Sequence, residues 1–426
     1  MRRVEWLLLL LFVFAIPWEY SLELGEGLGN VGRFVGLLAL LAAIPAVLQS
    51  GRMRSLSLMH WVALGLFFWF CLGCFWTIDS AATLAKLRGY FQEMMILWLV
   101  WEFAETPDDL RMLLRAWVAG SWLLAILTLA NFSSVQAIET QQLRVAAYGQ
   151  DPNDVARFLN LGFLLAALLA DRESRWPKRR FARLFDRVLG IGYLPVGLVA
   201  VLLTASRGGF LAALIALAGC VILFSRNHRK AVLAFAFALP VLAAALWLTI
   251  PHQVFERLAT IPQQIQSGDL NQRINIWSAG WNAFARAPFF GTGVGTFGAA
   301  AGLSPIDTAH NTALSIAVAG GLIAVFLATA VFVLVVRFTL ETSGSLRIVL
   351  VFSVLTWALT TMVASVEENR TTWLLFAVVA LAARLSAEDP AELAATFSER
   401  PRGRGFVMRD VDSRDPDLGS FTTLTQ

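Results

Sequence analysis

The sequence predicts an all-α, polytopic membrane protein, and three observations lead there. Hydrophobic residues make up 57% of the 426 and charged residues only 15%, where a soluble domain carries about a quarter charged. The apolar residues fall in runs of roughly twenty, the helix length that crosses about 30 Å of hydrocarbon. The basic residues gather in short segments between alternate runs, as the positive-inside rule requires. The net charge of +4 is therefore a topological signal and not the footprint of a nucleic-acid partner.

About twelve spans are expected, near 4–20, 28–48, 57–77, 84–104, 109–131, 153–171, 188–206, 208–225, 231–250, 310–336, 346–366 and 370–385. The first follows Arg2 and Arg3 like a signal sequence. It is expected to stay uncleaved, because IPWEY follows it with no small-x-small site. With both arginines inside, the inside segments also hold Arg52 and Arg54, Arg111 and Arg115, the basic stretch 172–187, RNHRK, Arg337 and Arg347. The segments WEYSLELGEG and TIDS, which are acidic, fall outside. The acidic inside segment EFAETPDD departs from the pattern. Both termini are then cytoplasmic. Residues 1–385 form the membrane domain, and 251–310 form a large outer loop between the ninth and tenth spans. Residues 386–426, rich in Pro, Gly, Arg and Asp, read as a disordered cytoplasmic tail.

Basic residues on the outer side oppose the charge rule. They are Lys86, Arg88, Arg144, Arg157, Arg207, Arg257, Arg273, Arg286 and Arg370, with Arg33 near an outer helix end. A charge at such a position is costly and usually functional. Arg257 and Arg286 are expected to snorkel or pair with carboxylates. Arg207 is different. It lies in TASRGGF with almost no loop around it, at the start of the eighth span. A helix N-terminus attracts an anion, and a guanidinium adds a fork suited to phosphate. Arg273, in LNQRINIWSAGW, is the second such candidate.

Of the four histidines, His60 and His228 lie at the cytoplasmic edge and His252 follows a helix-ending proline. His310 opens the tenth span at the outer surface, beside Asn311. Its ordinary pKa of about 6.5 suits proton transfer. No His or Cys spacing favours zinc, so neither a metal nor a cofactor is expected. Cys71 and Cys74 sit inside an apolar run and read as a buried helical pair. The glycines of Gly293-Val-Gly295-Thr-Phe-Gly298 match a dinucleotide fingerprint formally. They follow no strand, however, and read as loop-shaping residues. In YGQDPNDVAR, Asp151, Asn153 and Asp154 precede the sixth span, where they serve equally as helix caps or as a polar rim for sugar hydroxyls.

These residues give the chain its resemblance. From about 144 to 385 it resembles the O-antigen ligase and Wzy-type polymerase family, through GQDPND, TASRGG, RINIW followed by APFFGTGVG, the pair His310-Asn311 and the late turn EENRTTW. The ligase-type pattern H-[N/S/Q]-x9-G-x-x-[G/T/Y] lies on His310, Asn311 and Gly321 and departs at Ala324. The resemblance implies a bacterial inner-membrane glycosyltransferase whose site faces the periplasm. Such an enzyme moves a glycan, without a metal, from undecaprenyl diphosphate to lipid A-core or to another glycan acceptor. It implies Arg207 and Arg273 as diphosphate ligands and His310 as the residue that activates the acceptor, all three catalytic. Lys86, Arg88, Asp151, Asn153 and Asn311 are the further substrate-binding candidates. Physically, cations can stabilise a leaving diphosphate, a histidine can take a hydroxyl proton, and attack opposite the leaving group inverts the anomeric carbon. Two other readings stay open, a repeat-unit polymerase within the family and a twelve-span transporter outside it. The basic stretch 172–187 divides the spans six and six, as in carriers, but the charges cluster at the outer rim and not at midplane. A binding or scaffold protein without chemistry is the third class.

Overall fold

The computed structural model describes residues 2–25, 29–135, 144–171, 180–227, 243–244, 246–266, 273–305, 307–388, 390 and 393. Among the described residues the regular elements are helices, with one isolated bridge, Glu23 to Asn30, beside them. The helices α1 (Arg2–Ala15), α2 (Val31–Ser50), α3 (Leu58–Leu72), α4 (Ser80–Phe103) and α5 (Pro107–Val135) make the first half. A short 3-10 segment, Ile16–Ser21, extends α1. Next come α6 (Pro152–Ala170), α7 (Arg180–Leu203) and α8 (Arg207–Asn227). The short helices α9 (His252–Ala259), α10 (Ile261–Gln266), α11 (Arg273–Arg286) and α12 (Phe297–Ala301) precede the final three. Those are α13 (Thr312–Glu341), α14 (Gly344–Thr361) and α15 (Arg370–Glu388).

Among the described residues ten helices are long and apolar enough to cross a membrane. Each corresponds to one of the expected runs. The expected run 84–104 falls in α4, which has the length but carries Lys86, Arg88, Glu93 and Glu102. The expected run 231–250 falls largely outside the described residues, as does the tail beyond 393. Hydropathy alone also misplaces one boundary. The last eight residues of the basic stretch 172–187 are helical, the first turns of α7. Asp186 there is buried between Arg111 and Arg115 of α5, at 2.8 and 2.6 Å. A buried pair of this kind costs about 3–5 kcal/mol when one partner is removed, so it fixes the α5–α7 contact.

The helices divide by burial. In α6 and α15, 83% of the spanning window is buried, against 17% in α2. The first two form the centre and carry an apolar surface on all sides, as a helix enclosed by other helices must. Their N-terminal ends, at Asp151 and Arg370, line one cavity at one end of the bundle.

The segment 251–310, expected as a loop, is mostly short helices. Amphipathic α9 buries Val254 and Leu258 against Leu202, Leu203 and Ala205. The stretch after α11 is held by a break in α13. At Gly321 the backbone turns to φ 66°, ψ −164°, and the helix kinks. The carbonyls and amides freed there are taken up by residues 288–293. Leu322 N donates to Pro288 O, Thr292 N to Val318 O and Gly293 N to Ala319 O, at 2.8–2.9 Å. A side chain at Gly321 would meet the Phe289 carbonyl at 2.3 Å, and one at Gly291 would meet Ala319 at 2.5 Å. Both positions need glycine for positive φ and for close backbone approach. The glycines of this stretch thus shape the loop, as the absence of a preceding strand predicts.

Candidate functional site

The site is built where the N-terminal ends of α6, α8, α11, α13 and α15 converge. Asp151 caps α6, its carboxylate accepting from Asn153 N at 2.8 Å. Asn153 Oδ1 accepts from Ser206 Oγ at 2.8 Å and from Arg144 Nη2 at 3.0 Å. Ser206 Oγ accepts in turn from Gly209 N at 3.1 Å, and Asn160 Nδ2 donates to Gly209 O at 2.8 Å. The TASRGG turn is thereby bolted to α6. Ala205 within it sits at φ 46°, a left-handed conformation that costs a non-glycine residue energy and is found where surrounding contacts impose it.

Arg207 opens α8, as the sequence predicts. Its Nε donates to Arg257 O at 3.3 Å, and Arg257 Nε donates back to Ala205 O at 3.1 Å. Arg257 is thus a partner of the turn and not a residue snorkelling alone. Arg144, Arg207, Arg257 and Arg273 form a concentrated positive field. Burial pushes the pKa of Arg144 down, and repulsion from the other three adds to this. Burial, then Arg207, does the same to Arg273. Guanidinium groups stay charged under such pressure, so the region favours an anion.

Arg273 is the first residue of α11. One turn later Trp277 donates from Nε1 to Ala309 O at 3.0 Å. The same helix end that places Arg273 therefore grips the peptide before His310. His310 stands at φ 47°, and with Ala205 it is the second of two non-glycine residues at positive φ among those described. Its half-buried ring lines a cavity of about 480 Å3 together with Lys86, Asp151, Asn153 and Arg273. Burial first and Arg273 next push the His310 pKa below the ordinary value, against an opposing pull from Asp151 and Asp307. The imidazole is then neutral at pH 7 and able to accept a proton.

Sequence reasoning noted Arg157 and Arg370 as outer basic residues and EENRTTW as a late turn, but it assigned none of Glu93, Arg157, Glu368 and Arg370 to the site, and all four line this cavity. Lys86 Nζ pairs with Glu368 at 2.7 Å. Arg370 pairs with buried Glu19 and holds Gln92. Arg157 pairs with Asp154. Next to Glu368, burial and its neighbour's charge raise the Glu367 pKa. The turn 364–367 is tied to α13 by Thr312, whose Oγ1 donates to Ala364 O and accepts from Val366 N. The signal was present in part, since Glu93 is an acid inside an apolar run and such residues are functional candidates.

Three predicted positions, Asn311, Arg88 and Arg207, do not line this cavity. The Asn311 side chain caps α13, accepting from Leu314 N at 2.9 Å. Arg88 lines a second cavity on the opposite face of α4. Arg207 stands behind the first cavity, in the arginine cluster with Arg273. His60 is buried beside Ser57 and Trp101, and His252 packs on Trp247, both apart from the site. Cys71 and Cys74 are free thiols. Among the described residues no three His, Cys, Asp or Glu side chains are grouped to hold a metal ion. Ala324, where the ligase-type pattern departs, is fully buried against Gly320 at the kink. Ala324 does not line the cavity.

None of the curated proteins shows significant similarity to the chain. Residues 193–329, which carry Arg207, Arg257, Arg273 and His310, match the family model Wzy_C, described as O-antigen ligase, and this match over about a third of the chain supports the O-antigen ligase family as the one the chain resembles.

Proposed function

We propose that the protein transfers a glycan from undecaprenyl diphosphate to an acceptor hydroxyl at the periplasmic face of the bacterial inner membrane. O-antigen ligation to lipid A-core is the favoured reaction. The observation that carries this reading is the pairing of Arg273 and His310 in one cavity, both set by α11. The diphosphate sits against Arg273, with Arg207 and its neighbours supplying the positive field behind it. His310 takes the proton of the acceptor hydroxyl. The acceptor oxygen bonds to the anomeric carbon as the bond from that carbon to the diphosphate oxygen breaks. The diphosphate leaves with its lipid as the anion, and the anomeric centre inverts. Arginines aimed at the developing charge stabilise it without reorganising during the step, so the reaction runs without a metal.

Asp151, Glu93 and Glu368, which line the same cavity, offer acceptors for sugar hydroxyls. Repeat-unit polymerisation uses the same chemistry and differs in the acceptor. The test is purified protein with a defined undecaprenyl-diphosphate glycan, first alone and then with lipopolysaccharide core. A single transfer that needs core supports ligation. A ladder of longer lipid-linked glycans before core is added overturns it in favour of polymerisation. Lipid-linked glycan crossing a vesicle membrane with no new glycosidic bond overturns both in favour of transport.

A further inference from the structure

Across α4 from the catalytic cavity lies a second cavity of about 490 Å3. Its walls are apolar and come from α1, α2, α3 and α4. Two arginines line it, Arg33 in the first turn of α2 and Arg88 in α4. Both are exposed, and among the described residues neither guanidinium has a hydrogen-bond or ion-pair partner. This is unlike the other charges of α4. Lys86 is paired with Glu368, while Glu93 is buried.

The lining is layered. Leu40 of α2 lies seven residues beyond Arg33, and Met95 of α4 lies seven beyond Arg88. At the helical rise this places apolar wall about 10 Å deeper than the charges on both helices. The upper rim is cationic and the depth is greasy. The cavity also opens outward, since Leu37 and Leu84 on its lining are each 53% exposed and α2 is the least buried of the ten spans. In a membrane that opening faces lipid.

We propose that this cavity binds a bilayer lipid with an anionic phosphate headgroup. The phosphate lies between Arg33 and Arg88, and an acyl chain runs down past Leu37 and Leu40. Water cannot satisfy two unpaired cations at the edge of hydrocarbon without cost, and a lipid phosphate supplies the missing charge while its chain fills the apolar depth. The occupant is a phospholipid of the surrounding leaflet and not the glycan donor, whose diphosphate belongs with the arginines on the other face of α4. The binding does not depend on the transfer reaction.

The purified protein is placed in phosphatidylcholine nanodiscs with a minor fraction of phosphatidylglycerol, and native mass spectrometry counts retained lipids. The wild type is expected to retain phosphatidylglycerol over phosphatidylcholine. Arg33→Gln and Arg88→Gln should each lower that retention about fivefold, the size of one interfacial cation acting on an anionic lipid. Leu37→Trp narrows the greasy part without touching charge, on an exposed residue that folding does not need, and should also lower retention. Phosphatidylglycerol held equally by the wild type and the arginine variants overturns the proposal. Displacement of phosphatidylglycerol, one for one, by undecaprenyl phosphate also overturns it, because the cavity then belongs to the donor's lipid tail.

Discussion

The two cavities flanking α4 have nearly the same volume, about 480 and 490 Å3, and both contain arginine. They differ in what answers the charge. On the side of the proposed active site Lys86, Arg157 and Arg370 are matched by Glu368, Asp154 and Glu19. Arg273 and Arg207 are left to reinforce one another's field. On the other side the walls are hydrocarbon, and Arg33 and Arg88 face outward. A charge matched inside the protein positions its neighbours, whereas a charge left open selects an anion. On the two proposals the anion follows from the surroundings, a diphosphate with sugars where the wall is polar and a single lipid phosphate where it is greasy.

The largest effect expected from breaking this contrast is at His310. His310→Ala should lower turnover by about 10²–10⁴-fold, the usual contribution of a positioned acid or base, with donor binding retained. The measurement is transfer of labelled glycan beside donor binding by the same folded variant, and near-normal turnover removes His310 from the chemistry. Next is Arg273→Lys, expected to cost about 10²-fold or more. Charge is kept, but the planar fork is lost. Full activity in the lysine variant would reduce Arg273 to a point charge.

A smaller effect is expected one step back from the chemistry. Trp277→Phe keeps the ring and deletes the 3.0 Å hydrogen bond to Ala309 O. The net loss of one such bond is about 1 kcal/mol, or roughly fivefold. If Trp277 positions His310, kcat should fall while KM for donor holds. A change in KM alone would mean that α11 serves binding only. The pH profile sharpens the same point. The depressed pKa keeps His310 neutral to more acidic pH, so the acid limb of kcat/KM should fall below about 6.5. A limb centred at or above that value contradicts the neutral base.

Ten of the expected spans were legible because crossing hydrocarbon demands a length of apolar chain that any window detects, and Arg207 and Arg273 were legible because a charge at the start of a helix stands out in so apolar a chain. The remaining features depend on pairings that leave no local mark. Lys86 meets Glu368 across 282 positions. Asp186 looks like one more polar residue in a basic stretch until Arg111 and Arg115 close on it. The kink at Gly321 is visible only once residues 288–293 are seen filling it. Likewise Lys86 and Arg88, two positions apart, cannot face the same neighbour on a helix, yet nothing in the sequence says which cavity each one faces.

That pair offers the finest test, in stability and not in turnover. Lys86 has a partner, and its bridge to Glu368 is partly exposed, with side chains 43% and 27% accessible. Such a bridge contributes about 0.2–1 kcal/mol. Lys86→Gln should therefore lower thermal stability in detergent by an amount of that order, and Glu368→Gln by a similar amount. The double variant should lose less than the sum, because the second substitution removes a group already left without its partner. Among the described residues Arg88 has no partner to lose. In zwitterionic detergent free of anionic lipid, Arg88→Gln should shift stability by less than about 0.5 kcal/mol. Adding phosphatidylglycerol should then stabilise the wild type and not the variant, since a ligand raises stability only where the native state binds it. If Arg88→Gln is as destabilising as Lys86→Gln without any lipid, Arg88 has a protein partner in solution, and the contrast between the two faces of α4 disappears.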